Sequence, residues 1–281
     1  MGIGQLWVVG TPIGNLEDIT ARALRVLREV DLIAAEDTRH TGRLLQYFGI
    51  TTPQISLHAH NTQQRLPHLL AKLHAGQQVA LVSDAGLPGV ADPGYELIAA
   101  CIAAAVPVIP IPGANAALTA LMAAGLPMAR FCFEGFLPPK GRDRQQRLDQ
   151  LRQELRTMIF YEAPHRLRAT LQDFVDTFGG DRPIVLAREL TKRYEDFWRG
   201  CLAAASEWVT QTPPRGEYTL VVAGSAPTAS PISWEQLQTE LQLLQSQGLS
   251  LAEASRQLAA LTGVSRRQLY QMGLRGTHSN R

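Results

Sequence analysis

The stretch from Val79 to Gly94, VALVSDAGLPGVADPG, constrains the fold of this chain more than any other. Its first four residues are apolar and rich in valine, which predicts a buried strand. The residues that follow are mostly glycines, prolines and small polar residues, which predict a shaped loop. In open α/β sheets ligands bind beyond the carboxyl ends of the strands, so this loop is a candidate binding site.

The composition of this loop favours some ligands and excludes others. Neither a GxxxxGK[ST] motif nor a GxGxxG motif occurs in the chain, and the loop contains no lysine, so a phosphate-binding site has no support. Asp84 and Asp92 would repel a phosphate, whereas they suit ribose hydroxyls, an amine or a sulfonium. A strand-to-helix turn that binds nothing remains the alternative interpretation.

Length and composition indicate a soluble globular protein with two domains, or one large domain and an appendage. The chain has 281 residues, of which 45% are hydrophobic and 19% charged, and a net charge of +2. Three widely spaced cysteines argue against a disulfide framework or a Cys-rich zinc site; they favour a reducing compartment, and we expect no metal. The N-terminus does not resemble an export signal, which favours a cytoplasmic protein.

The segment from Leu97 to Ala129 contains no charged residue, which raises the alternative of a membrane span. Prolines, Gly113 and Asn115 interrupt it, so the sequence favours a helix, a short strand and a second helix instead. The strand at 106–111 contains prolines and should be short or lie at an edge of its sheet.

The order of the predicted elements defines an α/β protein. Up to Ala129 strands alternate with helices, including a helix that begins at Asp18, which predicts a doubly wound parallel sheet. Beyond Ala129 the pattern changes to a second sheet, with helices predicted at 143–156 and 167–178. Polar clusters follow several strands, at 36–40, 162–166 and 188–193, where they either cap helices or serve a common site.

The last fifty residues predict a small helical unit after a Pro- and Ser-containing linker at 226–231. The stretch 256–270 has the apolar spacing and the turn glycine, Gly263, of a helix-turn-helix, with Arg266 and Arg267 opening its second helix. From Arg256 to Arg281 there are five arginines and no acid, which favours contact with nucleic acid. A three-helix appendage that docks on protein is the alternative.

Seven motifs occur in an order that resembles one known family. They are LWVVGTPIGNLEDITARAL, AAEDTRHTG, SDAGLPGVADPG, FEGFLP, YEAPHRL, RELTKRYE and GEYTLVV, and the similarity runs from residue 5 to about 275. This pattern is similar to the bacterial ribosomal RNA small-subunit 2′-O-ribose methyltransferase I family of the tetrapyrrole methylase superfamily.

The resemblance implies a fold and a reaction. It implies two α/β domains of tetrapyrrole-methylase type, at 1–113 and 114–225, with the cofactor cleft between them, followed by a linker at 226–231 and a helical, helix-turn-helix-like domain at 232–281. It also implies a homodimer that uses S-adenosylmethionine and methylates a decoding-region cytidine of 16S ribosomal RNA, free or within the small subunit. Matched motif by motif, the implied cofactor-binding residues are Pro12, Ser83, Asp84, Ala85, Gly86, Val90, Ala91, Asn115, Ala116, Tyr161, Ala187 and Tyr218.

The chemistry implied by the resemblance suggests further roles. A ribose hydroxyl is a poor nucleophile near neutral pH, so a general base would accelerate methyl transfer. The candidates lie in the polar clusters that follow strands, and they are Glu36, Glu162, Glu189 and Lys192. Basic residues that would contact RNA are Arg39, Lys140, Arg142, Arg166, Arg193, Arg266 and Arg267.

Two other functions are compatible with parts of the pattern. Methylation of a small molecule such as a tetrapyrrole is the first, and the arginine-bearing helical tail argues against it. A nucleic-acid-binding protein without catalytic activity is the second, and the intact motif loops argue against that.

Overall fold

The computed structural model describes residues 2–226 and 234–278, with side chains described as far as residue 274. Contacts within the chain divide it into two compact units, Met1–Ser225 and Ala226–Arg281. Most of the predicted linker, from residue 227 to 231, lies outside the described residues, as does the end of the tail from residue 279.

The first half of unit 1 is the predicted parallel sheet flanked by helices. Its five strands lie in the order β3-β2-β4-β1-β5, and every pair is parallel. The strands are β1 (Leu6–Val9), β2 (Leu32–Ala35), β3 (Gln54–Ser56), β4 (Val79–Val82) and β5 (Val108–Ile111). The helices are α1 (Ala21–Glu29), α2 (Thr38–Tyr47), α3 (Thr62–His74) and α4 (Tyr95–Ala103).

Local chemistry explains where these elements begin and end. Asp18 ends a short 3-10 helix, Leu16–Asp18, and the first α-helix begins at Ala21. The Thr20 hydroxyl caps this helix by accepting a hydrogen bond from the backbone N–H of Ala23 at 3.0 Å. Strand β5 contains Pro110 and lies at the sheet edge, as predicted, since proline cannot donate to a further strand. Apolar side chains cover both faces of the sheet in two separate clusters.

The second half of unit 1 is a mixed sheet in the order β6-β7-β10-β8-β9. Strands β6 and β7 are parallel, whereas the other neighbours are antiparallel. The strands are β6 (Phe131–Phe136), β7 (Thr157–Glu162), β8 (Pro183–Arg188), β9 (Asp196–Cys201) and β10 (Tyr218–Val222). The helices are α5 (Ala116–Ala124), α6 (Arg142–Leu151), α7 (Leu167–Phe178) and α8 (Leu202–Gln211).

Helix α6 is shorter than the predicted helix at 143–156. It ends at Leu151 because the Glu154 carboxylate accepts hydrogen bonds from the backbone N–H and the side chain of Arg156, both at 2.8 Å, in a local turn. Helix α8 was not predicted. The alternation of side chains along the strands directs one set toward α5 and the opposite set toward the cluster formed with α6, α7 and α8.

The charge-free segment from Leu97 to Ala129 is divided among α4, β5 and α5. Within the part of the chain that the structure describes, no helix has both the length and the hydropathy needed to cross a membrane.

Unit 2 is the predicted helical unit. Its helices are α9 (Trp234–Ser246), α10 (Leu251–Thr262) and α11 (Arg266–His278), and they enclose a small leucine-rich core. Ser250 and Glu253 form a capping box at the start of α10. Gly263 ends that helix with a φ of 71°, the left-handed conformation that favours glycine at a helix terminus.

Candidate active site

The loops after β1 and β4 are hydrogen-bonded to each other. Thr11 N–H donates to Gly86 O at 2.9 Å, and Gly86 N–H donates to Thr11 O at 3.1 Å. The loop after β5 also comes close, since a Cβ added to Gly10 would lie 2.8 Å from Gly113 Cα. Three strand-end loops of the parallel sheet therefore form one rigid floor.

The loop after β8 contacts this floor from the second sheet. Thr191 Oγ1 accepts a hydrogen bond from Asn15 N–H at 3.1 Å, and a Cβ on Gly14 would lie 2.4 Å from Lys192 Cγ. Glu189 and Thr191 hold left-handed backbone conformations, with φ of 51° and 64°. Such conformations cost energy in residues other than glycine and persist where surrounding contacts enforce them.

A first pocket of about 380 Å³ lies between these loops and the edge of the second sheet. Its walls include Ile13, Leu87 and Leu190 together with the Tyr161 ring. Among the described residues that line it there is no lysine, arginine or histidine, whereas Asp92 contributes a carboxylate. We call this cavity the donor pocket, because most of the residues that the resemblance assigned to the methyl donor line it.

A second pocket of about 410 Å³ adjoins the donor pocket and shares Ile13, Ala85 and Glu217 with it. One face of α2 supplies part of its wall. The charged and aromatic residues that line it are His40, Arg43, Tyr47, Asp84, Lys192 and Glu217. The two pockets therefore differ in charge, since only the second is lined by basic side chains within the described residues.

Every residue that the resemblance assigned to the cofactor lines one of these two pockets. Those in the donor pocket are Ala85, Gly86, Val90, Ala91, Asn115, Ala116, Tyr161, Ala187 and Tyr218. Those in the second pocket are Pro12, Ser83 and Asp84, with Ala85 in both. Which of them touch a bound cofactor stays a prediction.

The donor pocket holds polar groups that are available to a ligand. The hydroxyl of Tyr218 is buried and has no hydrogen-bond partner among the described residues. The Tyr161 hydroxyl accepts from Ala117 N–H at 3.3 Å at the start of α5, and burial raises its pKa. These hydroxyl groups suit a ligand that carries hydroxyl or amino groups, whereas the Asp92 carboxylate suits a cationic one.

Burial and mutual repulsion raise the pKa of two carboxyl groups, one in the loop after β4 and one beside it. Burial raises the pKa of Asp92 to about 6, and the nearby Glu36 and Asp84 add to the shift. Burial also raises the pKa of Glu36, whose Oε2 accepts a hydrogen bond from Asp84 N–H at 3.2 Å. A cation bound beside Asp92 would relieve this repulsion.

Glu162 belongs to a buried polar network at the end of β7. Its carboxylate accepts hydrogen bonds from Ala163 N–H at 2.8 Å and from the Thr170 hydroxyl, and it pairs with Arg166 at 3.4 Å. Thr170 accepts in turn from the buried Arg144 guanidinium at 2.9 Å. Both oxygens of Glu162 are therefore committed to holding the loop beside the donor pocket.

Lys192 lies between two carboxylates at the junction of the pockets. Its Nζ donates to Glu189 Oε1 at 3.0 Å and to Glu217 Oε2 at 2.8 Å. Burial would lower the pKa of Lys192, but the hydrogen bonds to the two carboxylates outweigh it, so the pKa is raised and the side chain stays protonated.

The predicted RNA-binding residues lie at different places. Arg166 is partly buried and donates to Leu137 O at 2.7 Å, so most of its hydrogen-bonding capacity is used within the fold. Arg39 is exposed but pairs with Asp37 at 2.7 Å, and Arg193 is exposed with its guanidinium over the Tyr194 ring. The other four predicted RNA-binding residues are exposed, and they are Lys140, Arg142, Arg266 and Arg267.

Several residues that line these pockets had no role in the site predicted from the sequence. They are Glu217 and, on α2, Thr41, Arg43 and Tyr47. Asp92, which the sequence predicted to suit an amine or a sulfonium, lines the donor pocket. The available signal was the spacing of His40, Arg43, Leu44 and Tyr47, which follows one face of a helix. That signal indicates a shared face but does not indicate what the face lines.

Comparisons with known proteins agree with this geometry. Residues 5–206 match the family model of tetrapyrrole (corrin/porphyrin) methylases. The chain is 58% identical to ribosomal RNA small subunit methyltransferase I of Synechocystis sp., over 97% of this chain and 98% of the relative. It is 50% identical to the protein of the same name from Escherichia coli O157:H7, over 96% and 95% of the two chains.

A solved structure shows the same fold over most of the chain. Uroporphyrin-III C-methyl transferase from Thermus thermophilus, complexed with S-adenyl homocysteine, aligns with a TM-score of 0.55 at 17% identity. The alignment covers 78% of this chain and 97% of that one.

Proposed function

The chain belongs to the tetrapyrrole methylases and, within them, to the ribosomal RNA small subunit methyltransferase I family, and we propose that it methylates the 2′-hydroxyl of a decoding-region cytidine in 16S ribosomal RNA. The methyl donor is S-adenosylmethionine. One observation carries the proposal: a donor pocket lined by carboxylates but by no basic side chain among the described residues adjoins a second pocket that has basic side chains.

The donor pocket fits this donor by size and by chemistry. Its volume of about 380 Å³ lies in the range of about 300–1,000 Å³ that is typical of small-molecule sites. Asp92 offers a counter-charge to a sulfonium, and the unpartnered Tyr218 hydroxyl offers a hydrogen bond to a polar group. Apolar side chains such as Val90 and Leu190 line the remaining wall.

Bound S-adenosylmethionine supplies a methyl carbon on a cationic sulfur, so transfer to a hydroxyl oxygen leaves a neutral thioether and releases one proton. The protein must therefore align the hydroxyl with the methyl group and accept that proton. Both tasks fall to groups at the junction of the two pockets.

We place Lys192 against the acceptor hydroxyl. Its ammonium has three donors, and the two carboxylates beside it leave one for the ribose oxygen. The positive charge lowers the pKa of the hydroxyl, and the Glu217 carboxylate, which lines both pockets, accepts the proton. Glu189 is a positioning residue, because it holds Lys192 and the Glu217 backbone N–H at 2.9 Å.

The other two predicted bases have structural roles in this proposal. Glu162 holds the loop after β7, and Glu36 accepts a hydrogen bond from the backbone N–H of Asp84 in the loop after β4. The exposed basic residues of both units, among them Arg193, Arg266 and Arg267, bind RNA phosphates. We further propose that the protein is a cytoplasmic homodimer that acts on ribosomal RNA or on the small subunit.

Label from S-adenosylmethionine identifies the acceptor directly. The purified protein is incubated with small subunits that lack the methyl group, with free 16S ribosomal RNA, or with a porphyrinogen. We expect label in RNA at one cytidine, and resistance of the adjoining phosphodiester to alkali identifies the 2′-oxygen. Label in the porphyrinogen alone, or no transfer to either RNA substrate while the donor binds, would contradict the proposal.

Lys192→Met tests the role of the ammonium group. We expect kcat to fall by about 10²- to 10⁴-fold while the affinity for the donor stays unchanged. Lys72→Met is the matched control, because Lys72 lies on α3 and pairs only with Gln77 among the described residues. Equal kcat values for the two variants would exclude Lys192 from the reaction.

A further inference from the structure

One face of α2 borders the second pocket. His40, Arg43, Leu44 and Tyr47 recur at intervals of three and four residues and line the same cavity. A surface helix normally presents such a mixed polar face to water, whereas this face borders a cavity of about 410 Å³. The volume is sufficient for a single nucleotide by the usual range for small-molecule sites.

One basic side chain in the lining of this pocket is available to a phosphodiester. The carboxylates of Asp84 and Glu217 also line the pocket, and Lys192 pairs with Glu189 and Glu217. Arg43 on α2 is exposed and has no ion-pair partner among the described residues, so a phosphate would bind on that side. Arginine and lysine bind phosphate oxygens by charge-assisted hydrogen bonds. The donor pocket offers no such group among its described lining residues, so the two cavities are suited to different ligands.

A buried hydroxyl provides an independent observation. Thr41 lines the second pocket and is only 2% exposed, yet its Oγ1 has no hydrogen-bond partner among the described residues. A threonine within a helix commonly satisfies its hydroxyl on the carbonyl four residues earlier, and Thr41 does not. Because an unpaired buried polar atom costs about 1–3 kcal/mol, a ligand that pairs with it gains affinity.

The lining of the second pocket also includes an exposed aromatic side chain. Tyr47 is 68% exposed, although its ring is large and apolar. Single-stranded RNA is recognised largely by stacking of its unpaired bases on such rings.

From these observations we infer that the second pocket is the acceptor site for one nucleotide of RNA, with Arg43 on a flanking phosphate, Thr41 hydrogen-bonded to the nucleotide and Tyr47 stacked on a neighbouring base. The inference rests on the proposed function and names the residues by which the acceptor is recognised. Three residues that line both pockets then lie between the methyl donor and the acceptor nucleotide, and they are Ile13, Ala85 and Glu217.

Calorimetry with cytidine 3′,5′-bisphosphate tests the site on the full-length chain, because this probe carries one nucleotide with both flanking phosphates. We expect saturable binding of one probe per chain. Arg43→Ala should weaken it by about tenfold or more, since a charge-assisted hydrogen bond is lost, and Thr41→Val by about fivefold. The affinity for S-adenosylmethionine should stay the same in both variants.

Two variants serve as controls. Arg25→Ala removes an exposed arginine that pairs with Glu29 on α1 and should change probe affinity by less than about twofold. Thr41→Ser keeps the hydroxyl, so it should bind the probe as the wild type does. If Thr41→Val is too unstable to assay, the probe affinity of Arg43→Ala decides the test.

The outcomes separate this inference from the proposed function. Any of three results would overturn the acceptor site. They are no binding of the probe, wild-type probe affinity in both Arg43→Ala and Thr41→Val, or a loss of affinity for S-adenosylmethionine that parallels the loss for the probe. Probe binding with the expected losses, but without methyl transfer to RNA, would retain the site and reject the proposed reaction.

Discussion

Lys192 Nζ donates a hydrogen bond to Glu217 Oε2 at 2.8 Å, and the two residues come from different loops of the second sheet. Lys192 also contacts the first half of the unit, because its side chain fills the space beside Gly14. This ion pair therefore lies where the donor pocket, the second pocket and both sheets meet.

Replacement of Gly14 tests that contact. In Gly14→Ala the new Cβ would lie 2.4 Å from Lys192 Cγ and 3.1 Å from Leu190 O, so the segment 190–192 must shift. We expect methyl transfer to fall by about tenfold or more, since small displacements of aligned groups are costly. Single-turnover rates measure the effect.

Gly42→Ala is the control for this substitution. The added Cβ on α2 would have its nearest neighbour at 3.5 Å, an ordinary contact, and alanine is a better helix former. The control should gain about 0.5–1 kcal/mol of stability and keep its activity. Equal activity of both variants would show that the Gly14 contact does not position Lys192.

The pKa of Asp92 predicts how donor affinity depends on pH. Burial, with repulsion from Glu36, raises this pKa to about 6, so the carboxyl group is protonated below that pH and charged above it. Affinity for a cationic donor should therefore increase as pH rises through about 6 and then level off. Asp92→Asn should bind the donor about tenfold more weakly at pH 8 and lose the pH dependence.

The uncharged product provides a matched ligand for this measurement. S-adenosylhomocysteine has a neutral sulfur, so its affinity should depend much less on pH and on Asp92. Calorimetry with both ligands at pH 5 to 8 gives the comparison. A similar pH dependence for the two ligands would mean that Asp92 does not interact with the sulfonium.

Loss of the Glu162 carboxylate should destabilise unit 1. Glu162→Ala removes the acceptor for Ala163 N–H and Thr170 and leaves Arg166 without its acidic partner. We expect a loss of about 2–4 kcal/mol in the free energy of unfolding, measured by urea denaturation. Glu29→Ala, at an exposed ion pair, should change it by less than about 0.5 kcal/mol, and equal losses would contradict the structural role of Glu162.

Arg266 and Arg267 should contribute to RNA binding through charge alone. Both are exposed at the start of α11, and replacing both with alanine removes about two phosphate contacts. The slope of log affinity against log salt should become less negative by about 1.4. Gln268→Ala, at the neighbouring exposed position, should leave the slope unchanged, and an unchanged slope in the double variant would assign RNA binding to other residues.

The sequence by itself determined the elements and the chemistry of the central loop. Strand β4 has the predicted bounds, because an apolar run rich in valine that ends in a polar loop leaves few alternatives, and helix α7 spans the predicted residues 167–178. The acidic, lysine-free loop from Ser83 to Gly94 limited its ligand to something other than a phosphate. Helix boundaries beside side-chain hydrogen bonds, such as the start of α1 after the Thr20 cap and the end of α6 at Leu151, were less predictable.

Tertiary structure alone decided which polar residues meet. Glu36, Glu162 and Glu189 all follow strands and look equivalent in sequence, yet Glu162 is enclosed by Thr170 and Arg166, whereas Glu189 holds Lys192. Residues of α2 line the second pocket because the parallel order of the sheet brings that helix beside the loops after β1 and β4. Local sequence fixes backbone conformation and side-chain type, but contacts between distant loops depend on strand order and packing, which are properties of the whole chain.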